Sequence, residues 1–224
     1  GVSLGKIVVG GKDVKFENPD LRNLAMEVST KKIISHGDGE KTIVLIDCGA
    51  KRNIVRRLLS RGLKVVVVPW DTDVTQLNFP FDGVLISNGP GDPTRVKQTI
   101  KNVKKILAKK IPTLGICLGN QILTLASGGS TFKLKFGHRS QNQPVIENST
   151  KKCYLTTQNH GFAVGAIPKG FKEWFHNAND KTNEGIIHDS EPFMSVQFHP
   201  ESSPGPTDTD WVFDYFLKRA GIIK

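Results

Sequence analysis

Four apolar runs, interleaved with segments of helical periodicity, dominate what this chain can become. They are Thr42 to Asp47 (TIVLID), Leu63 to Val68 (LKVVVV), Phe81 to Ser87 (FDGVLIS) and Thr113 to Ile116. A half-buried strand alternates apolar with polar residues. A continuous apolar run suits a strand covered on both faces, as in a parallel sheet. Three intervening segments read as helices. Asn53 to Arg61 carries Ile54, Leu58 and Leu59 on one side. Arg95 to Lys110 repeats Val96, Ile100, Val103 and Leu107 at helical spacing, and Leu118 to Ala126 stops at Gly128-Gly129. The expected fold class is therefore α/β, an open, mostly parallel sheet flanked by helices with right-handed crossovers.

Past Gly129 the helical periodicity vanishes. Short β-type segments follow at Thr131 to Lys135, Pro144 to Glu147, Lys152 to Thr157, Phe162 to Ile167, Phe171 to His176, Glu184 to His188 and Phe193 to Phe198, separated by turn residues. They predict an antiparallel β region added to the α/β core. Asp208 to Ala220 closes the chain as a helix, with Trp211, Val212, Tyr215, Phe216 and Leu217 as its buried stripe. The first forty residues are mixed. Leu4 to Val9 suggests a short strand, Pro19 to Val28 a short helix, and Lys31 to Glu40 a polar connection. Residues 1–40 are read as a lead-in from a domain upstream, and residues 41–224 as one domain. A chain opening on Gly1 is expected to be a fragment or a processed product.

Composition excludes several classes. No apolar run approaches the roughly 20 residues of a membrane helix. No signal peptide is visible. Three cysteines, Cys48, Cys117 and Cys153, are too few and too odd for a disulfide framework, so a reducing compartment, the cytoplasm, is expected. The net charge of +10 raises nucleic-acid binding. However, the densest basic stretch, Arg95 to Lys110, puts its lysines opposite an apolar stripe, and no aromatic alternates with them to stack bases. A solvated helix face is the reading, with no nucleic acid and no membrane as partner.

The sharpest chemical signal is Gly115-Ile116-Cys117-Leu118-Gly119, placed where a buried strand passes into a helix. A nucleophile on so tight a turn needs small residues two positions away on either side. The G-x-S-x-G elbow of hydrolases has this form, here with Cys for Ser. A helix N-terminus favours a thiolate over a thiol, and the Leu118 N–H would face a developing oxyanion. Read without its surroundings, the same pentapeptide also suits a structural Cys between packing glycines. Cys48 and Cys153 are expected to be buried and structural.

A cysteine nucleophile needs a base and a group that orients it. His199 ends the last apolar strand pattern, and Glu201 follows across Pro200. Asn88-Gly89-Pro90-Gly91-Asp92-Pro93 follows the third strand, where open α/β sheets bind ligands. The N–H groups of Gly89 and Gly91 suit an anion or an oxyanion. There is no P-loop, no G-x-G-x-x-G after a strand, no C-x-x-C and no His pair at i, i+4, so no metal site is expected. His160 suits a pocket wall or a structural position equally.

Three blocks in order, NGPGDP, GICLGNQ and QFHPE, resemble the class I (triad) glutamine amidotransferase family, and the likeness runs over about residues 41 to 220. Within it, VVPWD at 67–71, GHRSQNQPV at 137–145, TTQNHGFAV at 156–164 and SVQFHPESSPGPTDT at 195–209 resemble the small subunit, or fused domain, of carbamoyl-phosphate synthetases. The resemblance implies a flavodoxin-like class I amidotransferase fold. It implies Cys117 as nucleophile, His199 as base and Glu201 as its orienter. Substrate contacts are implied at Gly89, Gly91, Leu118, Gln121, Asn159, Gly161 and Phe162. The implied partners are glutamine and a large ATP-dependent synthetase that makes carbamoyl phosphate. No cofactor is implied in this domain, since ATP and Mg²⁺ belong to the synthetase. Two other readings stay open here: an amidotransferase of an anthranilate or GMP type synthetase, and a regulatory module that keeps the fold without the activity.

Overall fold

The structure, a computed structural model, describes residues 3–224. Gly1 and Val2, the start of the expected lead-in, lie outside the described residues. Ten strands form one sheet. They are β1 (Ile34–His36), β2 (Thr42–Asp47), β3 (Lys64–Pro69), β4 (Gly83–Ile86), β5 (Thr113–Ile116), β6 (Thr131–Glu147), β7 (Cys153–Val164), β8 (Phe171–Asn177), β9 (Asn183–His188) and β10 (Phe193–Val196). Their spatial order is β1-β3-β2-β4-β5-β10-β9-β7-β6-β8. From β3 to β10 every pairing is parallel. The strands beyond β10 pair antiparallel, giving the expected added region.

The apolar runs are covered on both sides. Successive residues of a strand point to opposite faces, so β2 divides its run between two cores. Ile43 and Leu45 face α2 (Arg52–Leu59) and α5 (Trp211–Arg219), meeting Ile54, Leu58, Phe213 and Phe216. Val44 and Ile46 face α3 (Lys97–Ala108) and α4 (Leu118–Ala126), meeting Val103, Ile106, Ile122 and Leu123. Each such Val, Leu or Ile side chain contributes about 1.5–3 kcal/mol when fully buried. Slipping the strand by one residue would exchange the two sets of contacts.

Several elements depart from expectation. Leu4 to Val9 forms no strand. Among the described residues its only strand-type pairing is an isolated bridge from Val9 to Lys12, and a lone strand leaves its backbone groups unpaired. The helix expected over Pro19 to Val28 breaks in two. A 3-10 turn covers Pro19–Leu21, and Asn23 then caps α1 (Leu24–Val28) by accepting the Met26 N–H. The polar connection hides β1, which pairs antiparallel with β3 through Ile34↔Val67 and His36↔Val65. Strand pieces expected apart are fused in β6 and β7, whose pairing shifts register between Lys133 and His138 and again between Ser140 and Gln143. In α5 the buried residues are Val212, Phe213, Phe216 and Leu217, whereas Tyr215 is 39% exposed. Among the described residues no helix is long and apolar enough to cross a membrane.

Candidate active site

The sheet brings the expected chemistry to one end. Asn88 to Gly91 follow β4, Cys117 follows β5, and Gln197 to His199 follow β10, all at the carboxyl ends of parallel strands, where such sheets gather ligands. Strands β5 and β10 are neighbours in register, with Gly115 opposite Ser195 and Ile116 opposite Val196. The Cys117 N–H then donates to the Val196 carbonyl at 2.8 Å.

Cys117 sits on the turn between β5 and α4 with φ 54° and ψ −101°. A non-glycine residue in that region costs roughly 1–3 kcal/mol and persists only where its surroundings hold it. Here the surroundings are explicit. A Cβ on Gly115 would come 2.5 Å from the Gly119 carbonyl oxygen, and one on Gly119 would run into the Ile86 carbonyl oxygen. The two small residues are therefore what lets the strand turn into the helix. Leu118 is the first residue of α4, and the first N–H groups of a helix have no partner within it.

His199 is 3% exposed and Glu201 fully buried; His199 Nδ1 lies 2.8 Å from Glu201 Oε1. Burial works against a charged imidazole. The charges of Cys117 and Glu201, with hydrogen bonds to both, outweigh it and hold His199 up to about 9. Glu201 is raised by burial, but the bond to His199 and the charge of Lys51 win, leaving its carboxyl below the usual range. Lys51 Nζ stands 3.5 Å from Glu201 Oε1.

One cavity of about 690 Å³ collects Gly89, Gly91, Cys117, Leu118, Gln121, Asn159, Gly161, Phe162 and His199, with Glu201 behind its wall. His160 lines it as well. Burial brings His160 down to about 3, against the pull of the Phe162 carbonyl, so its ring is neutral at ordinary pH. Sequence reasoning missed Lys51, Gln197 and the rim formed by Asp20, Lys133 and Arg139. The K-R-N run after the Gly49 turn was a signal for Lys51. Gln197 opens the QFHPE block, which was a signal for it, but its contact with the thiol is made only in three dimensions.

The other two cysteines divide. Cys48 is buried as expected, and burial, then the Asp47 carboxylate, pushes its thiol up. Cys153 is not buried but exposed. It starts β7 opposite Ile146, and strand alternation turns it away from the core that Tyr154 packs against.

For a metal, the grouping found among the described residues is His138, His160 and Glu184, whose ligand-type atoms lie within 4.8 Å of one another. His138 Nδ1 is 3.2 Å from Glu184 Oε1 and its Nε2 is 2.9 Å from Asp180 Oδ2. Its bond to Glu184, aided by Asp180 and opposed by burial, raises His138 to about 9. Protonated His138 thus faces Asp180, held below the usual carboxylate range, and Glu184, whose carboxyl burial pushes up despite the bond to His138, and the cluster is a brace behind the cavity.

A thiol on a strand-to-helix elbow, an imidazole and a buried carboxylate, beside free helical N–H groups, define an α/β protein equipped for acyl transfer through sulfur. The profile of the class I glutamine amidotransferases matches residues 44–219. The chain belongs to that family. It is 48% identical over 221 residues to the mitochondrial carbamoyl-phosphate synthase [ammonia] of Rattus norvegicus, covering 97% of this chain and 15% of that protein. It is 43% identical over 234 residues to the arginine-specific small chain of carbamoyl phosphate synthase from Neurospora crassa, covering 100% and 52%. The chain thus spans about half the length of the second relative and far less of the first. Among solved structures, a glutamine amidotransferase from Thermotoga maritima shares the fold, with TM-score 0.62 and 20% identity over 83% of this chain and 87% of that one.

Proposed function

We propose that this chain is the glutaminase component of a carbamoyl-phosphate synthetase, hydrolysing glutamine to glutamate and ammonia through a γ-glutamyl thioester on Cys117. The observation that carries the reading is Cys117, held at positive φ on its elbow and sharing a cavity with a His199 already bonded to Glu201. The Cys117 sulfur attacks the side-chain amide carbon. The oxyanion rests on the N–H groups of Leu118 and Gly91. His199, protonated below about 9, gives its proton to the departing nitrogen, and ammonia leaves. A water then loses a proton to His199 and adds to the thioester carbon. The C–S bond breaks with its electrons returning to sulfur, and glutamate is released.

At the rim Lys133 pairs with Asp20, and Arg139 lines the same cavity; an amino acid would exchange that ion pair for contacts with its own α-carboxylate and α-amino groups. Gly89, Gln121, Asn159, Gly161 and Phe162 are the proposed walls for its side chain. The chemistry proposed runs on this chain's own side chains and backbone N–H groups, with ATP and Mg²⁺ left to the synthetase that receives the ammonia. The names of both relatives favour carbamoyl phosphate over an anthranilate or GMP product. The rat relative is named for ammonia. An intact thiol, base and carboxylate favour glutamine for this chain. An exposed, unpaired Cys153 fits a reducing compartment such as the cytoplasm.

The test is incubation with glutamine, an ammonia assay and intact mass, with Cys117→Ala alongside. Ammonia release or a glutamyl adduct, lost in the variant, is the expected result. Neither signal, even with a synthetase subunit added, would sink the reading.

A further inference from the structure

Gln197 is wholly buried beside the thiol. Its Nε2 lies 3.7 Å from Cys117 Sγ. Its Oε1 accepts from Asn120 Nδ2 at 3.0 Å and from Gln121 Nε2 at 3.1 Å. The two ends of an amide have nearly the same shape, so their assignment must come from neighbours. Here it does. The Phe162 carbonyl only accepts, so the Gln121 atom 2.8 Å from it is the nitrogen. That same nitrogen faces Gln197 and donates to it. The Gln197 atom it meets is therefore oxygen, and the NH₂ end is turned to the sulfur. Asn120 agrees, since its Oδ1 is taken by the Ser195 hydroxyl at 2.7 Å. The backbone of Gln197 is also tied down, its N–H donating to the Glu184 carbonyl at 2.8 Å.

We propose that Gln197 is a further catalytic residue, its side-chain amide donating to the Cys117 sulfur and stabilising the thiolate that attacks. This rests on Cys117 being the nucleophile. A hydrogen bond made to the charged form favours that form. The thiol is sheltered at 4% exposure, where water solvates a new anion poorly and a fixed donor counts for more. The same N–H meets the sulfur again when the thioester breaks and sulfur leaves with the electron pair. Phe162, Gln121 and Gln197 thus form a directed chain of donors and acceptors from the cavity wall to the nucleophile. Its direction is fixed by a backbone carbonyl that cannot flip.

The experiment is the rate of Cys117 alkylation by iodoacetamide against pH, read by peptide mass in a Cys153→Ser background. Gln197→Leu removes the donor. Gln197→Glu keeps an oxygen for Asn120 and Gln121 but turns a second oxygen toward the sulfur. The expected result is a midpoint displaced upward by about one pH unit in Gln197→Leu, with labelling near neutrality slowed about tenfold, and a larger loss in Gln197→Glu. Circular dichroism identifies any variant that fails to fold. If the leucine variant does not fold, the glutamate variant, which keeps both amide contacts, decides. A folded variant with the parent's pH profile overturns the proposal. Alkylation needs no glutamine, so it reports on Gln197 even where the ammonia assay fails. Turnover of glutamine by the parent, with unchanged profiles in the variants, would count against Gln197 alone.

Discussion

The Oε1 of Glu201 lies 2.8 Å from the Nδ1 of His199 in a pair almost wholly sealed from solvent. The bond places the ring's proton on Nδ1 when His199 is neutral. In the proposed reaction Nε2 is then the atom available to exchange protons with the thiol and the leaving ammonia. Replacing the carboxylate with an amide of the same shape keeps the packing and removes the charge. Glu201→Gln is expected to lower kcat for glutamine by roughly 10²-fold, within the range assigned to positioned acid–base groups, while leaving the fold intact. Ammonia release beside a melting curve checks it. An unchanged rate would mean that Glu201 does not orient the base.

His199 is held up to about 9 by its neighbours despite its burial. In the proposed reaction it therefore enters protonated at neutral pH, as ammonia departure requires. Above about 9 that proton is lost, and the rate should fall about tenfold for each further pH unit. A pH–rate profile of kcat/KM for glutamine reads this directly. Activity flat to pH 10.5 would contradict the assigned proton.

Gly119 cannot accept a side chain, because a Cβ there runs into the Ile86 carbonyl oxygen on β4. Gly119→Ala is expected to cost at least the ~1–3 kcal/mol typical of overpacking and to disturb the elbow that presents Cys117. A urea titration gives the stability and the alkylation rate gives the elbow. Parent-like values for both would show that the turn relaxes freely.

His138 is raised to about 9 between Glu184 and Asp180. A histidine whose proton is held more tightly in the folded state stabilises the fold fully below its unfolded value, about 6.5. That contribution is lost as pH rises toward and through 9. His199 contributes with the same sign. The urea midpoint should therefore decline between pH 6.5 and 9, and decline less in His138→Gln. Equal slopes in the two proteins would show that the brace does not titrate in this window.

Much of the α/β half is legible because its strands are covered on both faces. Thr42–Asp47, Thr113–Ile116 and Leu118–Ala126 begin and end where their apolar runs do. The edges are less legible. A three-residue strand such as Ile34–His36 is too short to show a period, and it exists because β3 offers it an open edge. The long β6 reads as two strands because its two register shifts interrupt the alternation. In the site, Cys117, His199 and Glu201 stand out because elbow, strand end and turn each leave a local mark. Gln197 lies in the QFHPE block, but its role does not stand out there, because it depends on where Phe162, 35 positions earlier, points its carbonyl.

Strands β5 and β10 run side by side, with Ile116 opposite Val196. Cys117 directly follows β5, and His199 stands three residues past β10, its N–H donating to the Thr157 carbonyl of β7 at 3.0 Å, so sulfur and imidazole are carried by the ends of two paired strands. An insertion near the turn that carries Asp20, or the arrival of a bulky neighbour at the rim, can change what enters the cleft without moving the strand ends that carry the thiol and the imidazole. The gate can thus be changed separately from the strands that hold the thiol and the imidazole.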